Sequence, residues 1–291
     1  MEQLAGRVAV VTGGGGGIGR ALGQRFAEEG MRVVLADVLA EPLEAAAAEL
    51  RAEGHDVIAV ATDVTDFASV EALRDQAYEA FGAVHVLCNN AGVGAGAEGK
   101  MWDHTLKDWG WGLSVNVWGV IHGIKAFVPA MLAGGDEGHV VNTSSGNGGI
   151  SPMPSTAIYA TTKAAVTTLT EVLYGQLRSI DAPIGASVLF PGPKVLRTGL
   201  LESSKNRPAA WENDTPRSTP HTTIESFEAR MRAAGMEPDY TPVEAVAEEC
   251  LQGIREGRFW ILPKSRRTDK VIEARAQSMI ERSDPTYLRD F

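Results

Sequence analysis

The sequence predicts an α/β protein built on one doubly wound parallel sheet flanked by helices. Short β-branched runs alternate with amphipathic helical stretches through the first two thirds of the chain. A glycine-rich turn joins the first such run directly to the first helical stretch. Gly30, Gly54 and Gly82 each follow a helical stretch, where a left-handed residue ends a helix.

Taken in order, strands are expected over 8–11, 33–35, 57–61 and 84–88, with helices over 18–29, 41–53 and 66–81 between them. A long helix over about 106–132 follows, then a strand over 139–142, a Gly/Pro/Ser-rich loop over 144–156, a helix over 158–178 and a strand over 186–190. Residues 192–222 mix Gly, Pro, Ser, Asn and Thr with isolated apolar residues and no sustained period, which reads as a loop or lid. Helical periodicity returns over 223–234 and 242–256, a seventh strand fits 259–262, and a charged amphipathic stretch covers 266–282. The expected organisation is a single Rossmann-type catalytic domain over 1–262, with a lid insertion at about 192–240, and a C-terminal helical tail over 263–291.

Hydrophobic residues at 44% against 22% charged supply a core and argue against global disorder. With 27 Lys+Arg against 37 Asp+Glu the formal charge is −10, which repels phosphate backbones and anionic lipid, so neither nucleic acid nor a membrane surface is an expected partner. Cys88 and Cys250 lack the spacing of a zinc site or a disulfide framework, and the six histidines form no metal-binding spacing. His139, just before an apolar strand, reads as a structural residue. The N-terminus does not read as a secretory signal, and no stretch approaches the length of a membrane span, so a cytoplasmic protein is expected.

Strand 8–11 runs at once into Thr12-Gly-Gly-Gly-Gly-Gly-Ile-Gly19 and a helix start. A strand, a tight glycine turn and a helix N-terminus aim backbone N–H groups and a positive dipole end at an anion, and the missing Cβ atoms let a pyrophosphate approach. Gly94, Gly96 and Gly99 also match the GxGxxG spacing, but no helix starts immediately after them, and they read as a flexible loop. Asp37 stands about 18 residues beyond Gly19, where a carboxylate accepts hydrogen bonds from adenosine ribose hydroxyls and repels a 2′-phosphate. NAD is therefore favoured over NADP. Further along, Tyr159 and Lys163 lie four apart on one face of a helix. A free Tyr titrates near 10, and a nearby ammonium stabilises its phenolate, so the pair can shuttle a proton.

In the loop Thr12, Gly13, Gly17, Ile18 and Gly19, in Asp63-Val64, in Asn89-Asn-Ala-Gly92 and in Tyr159-Ala-Thr-Thr-Lys163, the chain resembles the short-chain dehydrogenase/reductase family over residues 5 to about 262. The likeness is to its shorter-chained branch, with TGxxxGxG and YxxxK motifs. The resemblance implies that Tyr159 exchanges a proton with the substrate oxygen while hydride moves to or from the nicotinamide. It also implies that Lys163 holds the nicotinamide ribose, Ser145 hydrogen-bonds the substrate oxygen, and Asn116 keeps a water in a relay reaching Lys163. Ser145 and Tyr159 are 14 apart, one more than the common family pattern, which puts an extra residue in the loop between Gly146 and Ile158. Gly13, Gly17, Ile18, Gly19, Asp37, Asp63, Val64, Asn90, Pro191, Gly192 and Thr198 are the further cofactor contacts it implies. Thr12 and Asn90 also read as ties between strand turns. A homodimer or homotetramer is implied as well, and Trp109, Trp111 and Trp118 read as core or subunit-interface packing.

The expected activity is an NAD-dependent interconversion of a secondary alcohol and a ketone. Leu200, Leu201, Trp211, Phe227, Met231 and Met236 in the lid point to a fairly hydrophobic substrate, cyclic, aromatic or steroid-like. A dehydratase or epimerase of the extended branch fits poorly, because its loop is normally TGxxGxxG and its substrate domain is longer. A non-catalytic NAD-sensing protein and a carbonyl reductase of small polar substrates are the competing readings.

Overall fold

In the computed structural model residues 1–95, 98–215, 223–233, 235 and 237–288 are described. Strand β1 (Val8–Thr12) is buried along its whole length, with Val8 and Val10 on one face and Ala9 and Val11 on the other. Apolar residues on both faces require cover on both sides, the condition met by a parallel sheet between two helical layers. From β1 the chain winds outward through α1 (Gly17–Glu28), β2 (Arg32–Asp37), α2 (Ala40–Ala52) and β3 (Val57–Ala61). It then crosses back through α3 (Phe67–Phe81) to β4 (Val86–Asn89), on the other side of β1. Strands β5 (Gly138–Thr143), β6 (Ile184–Leu189) and β7 (Trp260–Ile261) complete a seven-stranded parallel sheet in the order β3-β2-β1-β4-β5-β6-β7. The order reverses between β1 and β4, and ligands of such sheets bind in the crevice beyond the strand ends at that point.

One layer places α1, α2 and α8 (Val243–Glu256) over Ala9, Val11, Leu35 and Cys88. The other sets α3, α5 (Gly119–Gly134) and α6 (Ala157–Ser179) over Val8, Val10, Leu87 and Val140. Each fully buried Leu, Val or Phe contributes about 1.5–3 kcal/mol of transfer free energy, so these two layers hold the sheet. Helix ends follow local chemistry. Asp66 caps α3 by accepting from the Ala68 N–H at 3.0 Å, and Gly82 ends that helix in the left-handed region at φ 78°. His139 is buried in β5, bonded to Ser187 Oγ at 2.6 Å, and that hydroxyl donates to the Arg258 carbonyl; burial lowers its pKa to about 4. Its role is structural.

Three expectations need correction. Helix 106–132 is longer and interrupted: α4 (Leu106–Leu113) passes through a π-helical turn at Ser114–Trp118 into α5. The combined stretch Leu106–Gly134, 29 residues, is long and apolar enough to cross a membrane, contrary to the reading that nothing approaches that length. Its apolarity serves packing: Trp111, Val120, Phe127 and Met131 are buried, and Gly112, Gly119 and Gly123 lie against Ile158, Val64 and Asn89. The segment over 192–222 is not all loop, since 3₁₀ turns form at Gly199–Asn206 and Ala209–Trp211 before α7 (Ile224–Ala233). The final helix, α9 (Arg266–Glu281), buries no residue and meets the turn at Gly146–Ile150, where Arg275 Nη1 donates to the Ile150 carbonyl.

Candidate active site

Gly13 leaves β1 with φ 70°, and Gly17 opens α1 with φ 50°, both conformations that suit glycine. Gly19 is required for a different reason. A Cβ there would lie 2.0 Å from the Gly13 carbonyl oxygen, so the helix docks directly on the turn. Gly16 borders open space, the α1 N-terminus has no side-chain cap, and its first turn holds no acidic residue. These N–H groups and the positive dipole end fit a pyrophosphate. Ile18 packs on the core beneath. Asp37, at the end of β2, accepts from the Gly15 N–H and the Leu39 N–H at 3.0 Å each, which holds its carboxylate beside the glycine turn. Thr198 is brought to the same place: a Cβ on Gly17 would sit 3.2 Å from the Thr198 Cβ. Nothing local in the sequence announced that meeting.

The other expected cofactor contacts are spoken for in distinct ways. The Thr12 hydroxyl accepts from the Asn90 and Ala91 N–H groups at 2.9 and 3.1 Å, and Asn90 Nδ2 donates to the Thr12 carbonyl at 3.0 Å. Thr143 Oγ1 donates to Asn90 Oδ1 at 3.3 Å, so Asn90 ties the ends of β1, β4 and β5 together. Asp63 Oδ1 accepts from the Thr65 N–H and hydroxyl, at 2.9 and 2.8 Å. The Val64 side chain covers Gly119, and its carbonyl accepts from His122 Nδ1 at 2.8 Å. Pro191 and Gly192 leave the C-terminal end of β6.

Next to the glycine turn, Tyr159 and Lys163 project from α6, with the Lys163 ammonium 5.7 Å from the Tyr159 ring centroid. Lys163 is buried and donates to the Thr143 carbonyl at 2.9 Å, and burial lowers its pKa from 10.5 to about 8. Burial pushes the Tyr159 phenol above its ordinary value, and a hydrogen bond with the Ser145 hydroxyl opposes that. The adjacent Ser144 points away, bonded to the Lys163 carbonyl and to Thr167 Oγ1 at 2.8 Å each. Between Ser145 and Tyr159 the chain makes a wide turn at Gly146–Ile150, where Gly148 takes φ 102° against the Ala160 carbonyl.

Asn116 sits fully buried in the π-helical turn. Its amide donates to the Val93 carbonyl at 2.9 Å and the Thr162 hydroxyl at 3.0 Å, and its Oδ1 accepts from the Val93 N–H at 2.8 Å. Both amide hydrogens are committed, so this side chain clamps the segment after β4 to α6. A Cβ on Gly92 would meet both Asn116 Oδ1 at 3.3 Å and Lys163 Nζ at 3.5 Å.

A cavity of about 790 Å³ opens over Tyr159. The segment after β4 contributes Gly94, Glu98, Lys100, Met101 and Trp102 to its wall, and the segment before α6 contributes Asn147, Met153 and Pro154. Leu200, Leu201, Phe227 and Arg230 close it from the lid. Of the apolar lid residues, Trp211 instead covers Gly110 and joins the Trp111 cluster, Met231 is not among the lining residues, and Met236 lies outside the described residues. Trp111 is buried and Trp109 partly so, whereas Trp118 is exposed. Gly94 is not part of a free loop as expected: it is buried, its N–H donates to Ser203 Oγ at 2.9 Å, and a Cβ would lie 2.8 Å from the Leu200 carbonyl. Gly96 lies outside the described residues, and Gly99 borders the cavity. Met101, Trp102 and Met153 were missed, because they fall in segments without a period. Among the described residues no His/Cys/Asp/Glu group could hold a metal ion.

Comparison with known proteins agrees with this fold. The family model of short chain dehydrogenases matches residues 7–207. The 1-deoxy-11-beta-hydroxypentalenate dehydrogenase of Streptomyces avermitilis is 40% identical over 184 residues, which are 63% of this chain and 67% of that one. A crystal structure of a short chain dehydrogenase/reductase from Burkholderia phymatum in complex with NAD is similar at a TM-score of 0.88 and 39% identity, over 98% of each chain. A short chain dehydrogenase from Burkholderia cenocepacia J2315 in complex with NADP has a TM-score of 0.71 at 27% identity, over 89% of this chain and 96% of that one. With a doubly wound parallel sheet and a family model matched over most of its length, the chain belongs to the short chain dehydrogenase family of nicotinamide-dependent oxidoreductases.

Proposed function

We propose that this protein is an NAD-dependent oxidoreductase that interconverts a secondary alcohol and a ketone on a fairly hydrophobic, cyclic, aromatic or steroid-like framework. The observation that carries this is the meeting of Tyr159, Ser145 and Lys163 under a largely apolar cavity, beside a glycine turn open to an anion. Bound nicotinamide supplies or takes up the hydride. Tyr159 Oη gives its proton to the ketone oxygen in one direction and takes the alcohol proton in the other, while Ser145 Oγ hydrogen-bonds that oxygen. The Lys163 ammonium favours the phenolate electrostatically and is held in place by the Thr143 carbonyl. Asn116 keeps the Val93 backbone and α6 in register, so the floor of the cavity does not shift.

The choice of NAD rests on Asp37, whose carboxylate receives ribose hydroxyls and repels a 2′-phosphate. The residues that follow it are Val38 and Leu39, and the nearby Arg20 is paired with Glu49, so neither offers a free cation to that phosphate. The relative that acts on a hydroxypentalenate supports a ring framework. Exposed Trp118, Val172 and Tyr174 are the residues through which we place a homodimer or homotetramer contact.

The test is formation of reduced nicotinamide from NAD and, separately, NADP over a panel of cyclic and aromatic secondary alcohols. Tyr159→Phe is expected to lower kcat by about 10²–10⁴-fold while NAD still binds. Tight NAD binding with no turnover of any alcohol would turn the reading toward a sensor.

A further inference from the structure

The charges on the cavity wall are few and unevenly matched. Arg230, on α7, is paired with Glu98, in the segment after β4, so these two neutralise each other across the opening. Lys100 has no carboxylate partner among the described residues; its ammonium stands 5.5 Å from the Trp102 ring centroid. Around it the wall is apolar, with Met101, Trp102, Met153, Leu201 and Phe227. A chain of net charge −10 surrounds its ligands with a repelling field for anions, and among the described residues Lys100 is a lining cation without a carboxylate partner.

We infer that the substrate carries a carboxylate at the end remote from its reacting alcohol, and that Lys100 at the rim recognises it. This rests on the oxidoreductase reading of the same cavity. The substrate is then amphiphilic: an apolar framework against Met101, Met153 and Phe227, an alcohol at Tyr159, and an anion at Lys100. The Trp102 ring beside the ammonium carries no formal negative charge to compete with a substrate carboxylate. Lys100 is exposed, so the contribution is that of a rim ion pair, about fivefold in affinity at low ionic strength and less as salt is added.

The experiment uses the NAD-loaded enzyme and a series of cyclic hydroxy acids, from 4-hydroxycyclohexanecarboxylate to a 3-hydroxysteroid carboxylate, each beside its methyl ester. The kcat/KM ratio of acid to ester is measured for the wild type, Lys100→Met and Lys100→Arg, at low and high salt. The expected result is a ratio of about five for the best-fitting acid, falling toward one in Lys100→Met and in high salt, and retained in Lys100→Arg. A wild-type ratio at or below one, or a preference that survives in Lys100→Met, overturns the inference. Calorimetric binding of the same acids and esters to the enzyme loaded with reduced nicotinamide separates the two readings. Acid binding that depends on Lys100 with no turnover would keep the anion site and sink hydride transfer; equal turnover of acid and ester would keep hydride transfer and sink the anion site.

Discussion

Replacing Lys163 with Met is expected to make the protein more stable while it destroys the chemistry. Lys163 is buried, no carboxylate pairs with it among the described residues, and burial lowers its pKa from 10.5 to about 8. At about 1.4 kcal/mol per factor of ten in proton affinity, that gap means the charged form costs about 3 kcal/mol at neutral pH relative to the unfolded chain. Methionine keeps the apolar stem but leaves the Thr143 carbonyl without its 2.9 Å donor, a loss of about 1–2 kcal/mol. The net expectation is a gain of about 1–2 kcal/mol at pH 7, together with a fall in kcat of at least about 100-fold. The unfolded chain holds this proton to higher pH than the native protein does. Wild-type stability therefore carries a rising contribution between about pH 8 and 10.5, which Lys163→Met lacks. Urea unfolding of both proteins across that range measures it. A variant less stable than wild type at pH 7, with a parallel pH dependence, would refute the reasoning.

Other perturbations test other parts of the molecule. Asp37→Asn removes the charge beside the glycine turn, and the kcat/KM preference for NAD over NADP is expected to fall at least about tenfold. Arg207→Met leaves Asp108 buried without its 2.6 Å partner, which should cost about 3 kcal/mol in thermal or urea unfolding. Asp108→Asn added to that variant should recover much of the loss; no recovery would show that the Arg207 guanidinium over the Trp111 ring matters more than its pairing with Asp108. Arg275→Ala releases α9 from the Ile150 carbonyl, and is expected to lower kcat severalfold with NAD affinity unchanged, with partial retention in Arg275→Lys. An equal fall in NAD affinity would instead mark a general loosening of the fold.

What the sequence made legible was whatever chain-local spacing encodes. The glycine turn is contiguous, Asp37 follows from the length of one helix and one strand, and Tyr159 and Lys163 share a helix face because four residues nearly complete a turn. The seven strands were readable from β-branched runs, although β7 proved to be only Trp260–Ile261. What stayed hidden depends on partners distant in the chain. Asn116 meets Val93 and Thr162, and Thr198 meets Gly17, through tertiary packing alone. The direction of a side chain in an aperiodic segment is set the same way, which is why Leu200, Leu201 and Phe227 face the cavity while Trp211 turns onto α4.

The wide turn at Ser114–Trp118 makes the length of this helix as consequential as its composition. A π-helical turn spreads about one more residue over a turn than an α-helix does, so Ser114–Trp118 takes in an extra residue and α5 still leaves with nearly the phase that regular winding one residue shorter would give it. Deleting a residue in the regular part of the helix would instead swing Gly119 and Gly123, which let Val64 and Asn89 approach, by about 100° about the axis and put bulkier neighbours in their place. The wide turn thus absorbs a surplus residue without changing the face that the second half of the helix presents to its layer. In homologous chains a one-residue gap is therefore expected at Ser114–Trp118, where loss of the wide turn leaves the packing of α5 in place, before anywhere else along this helix.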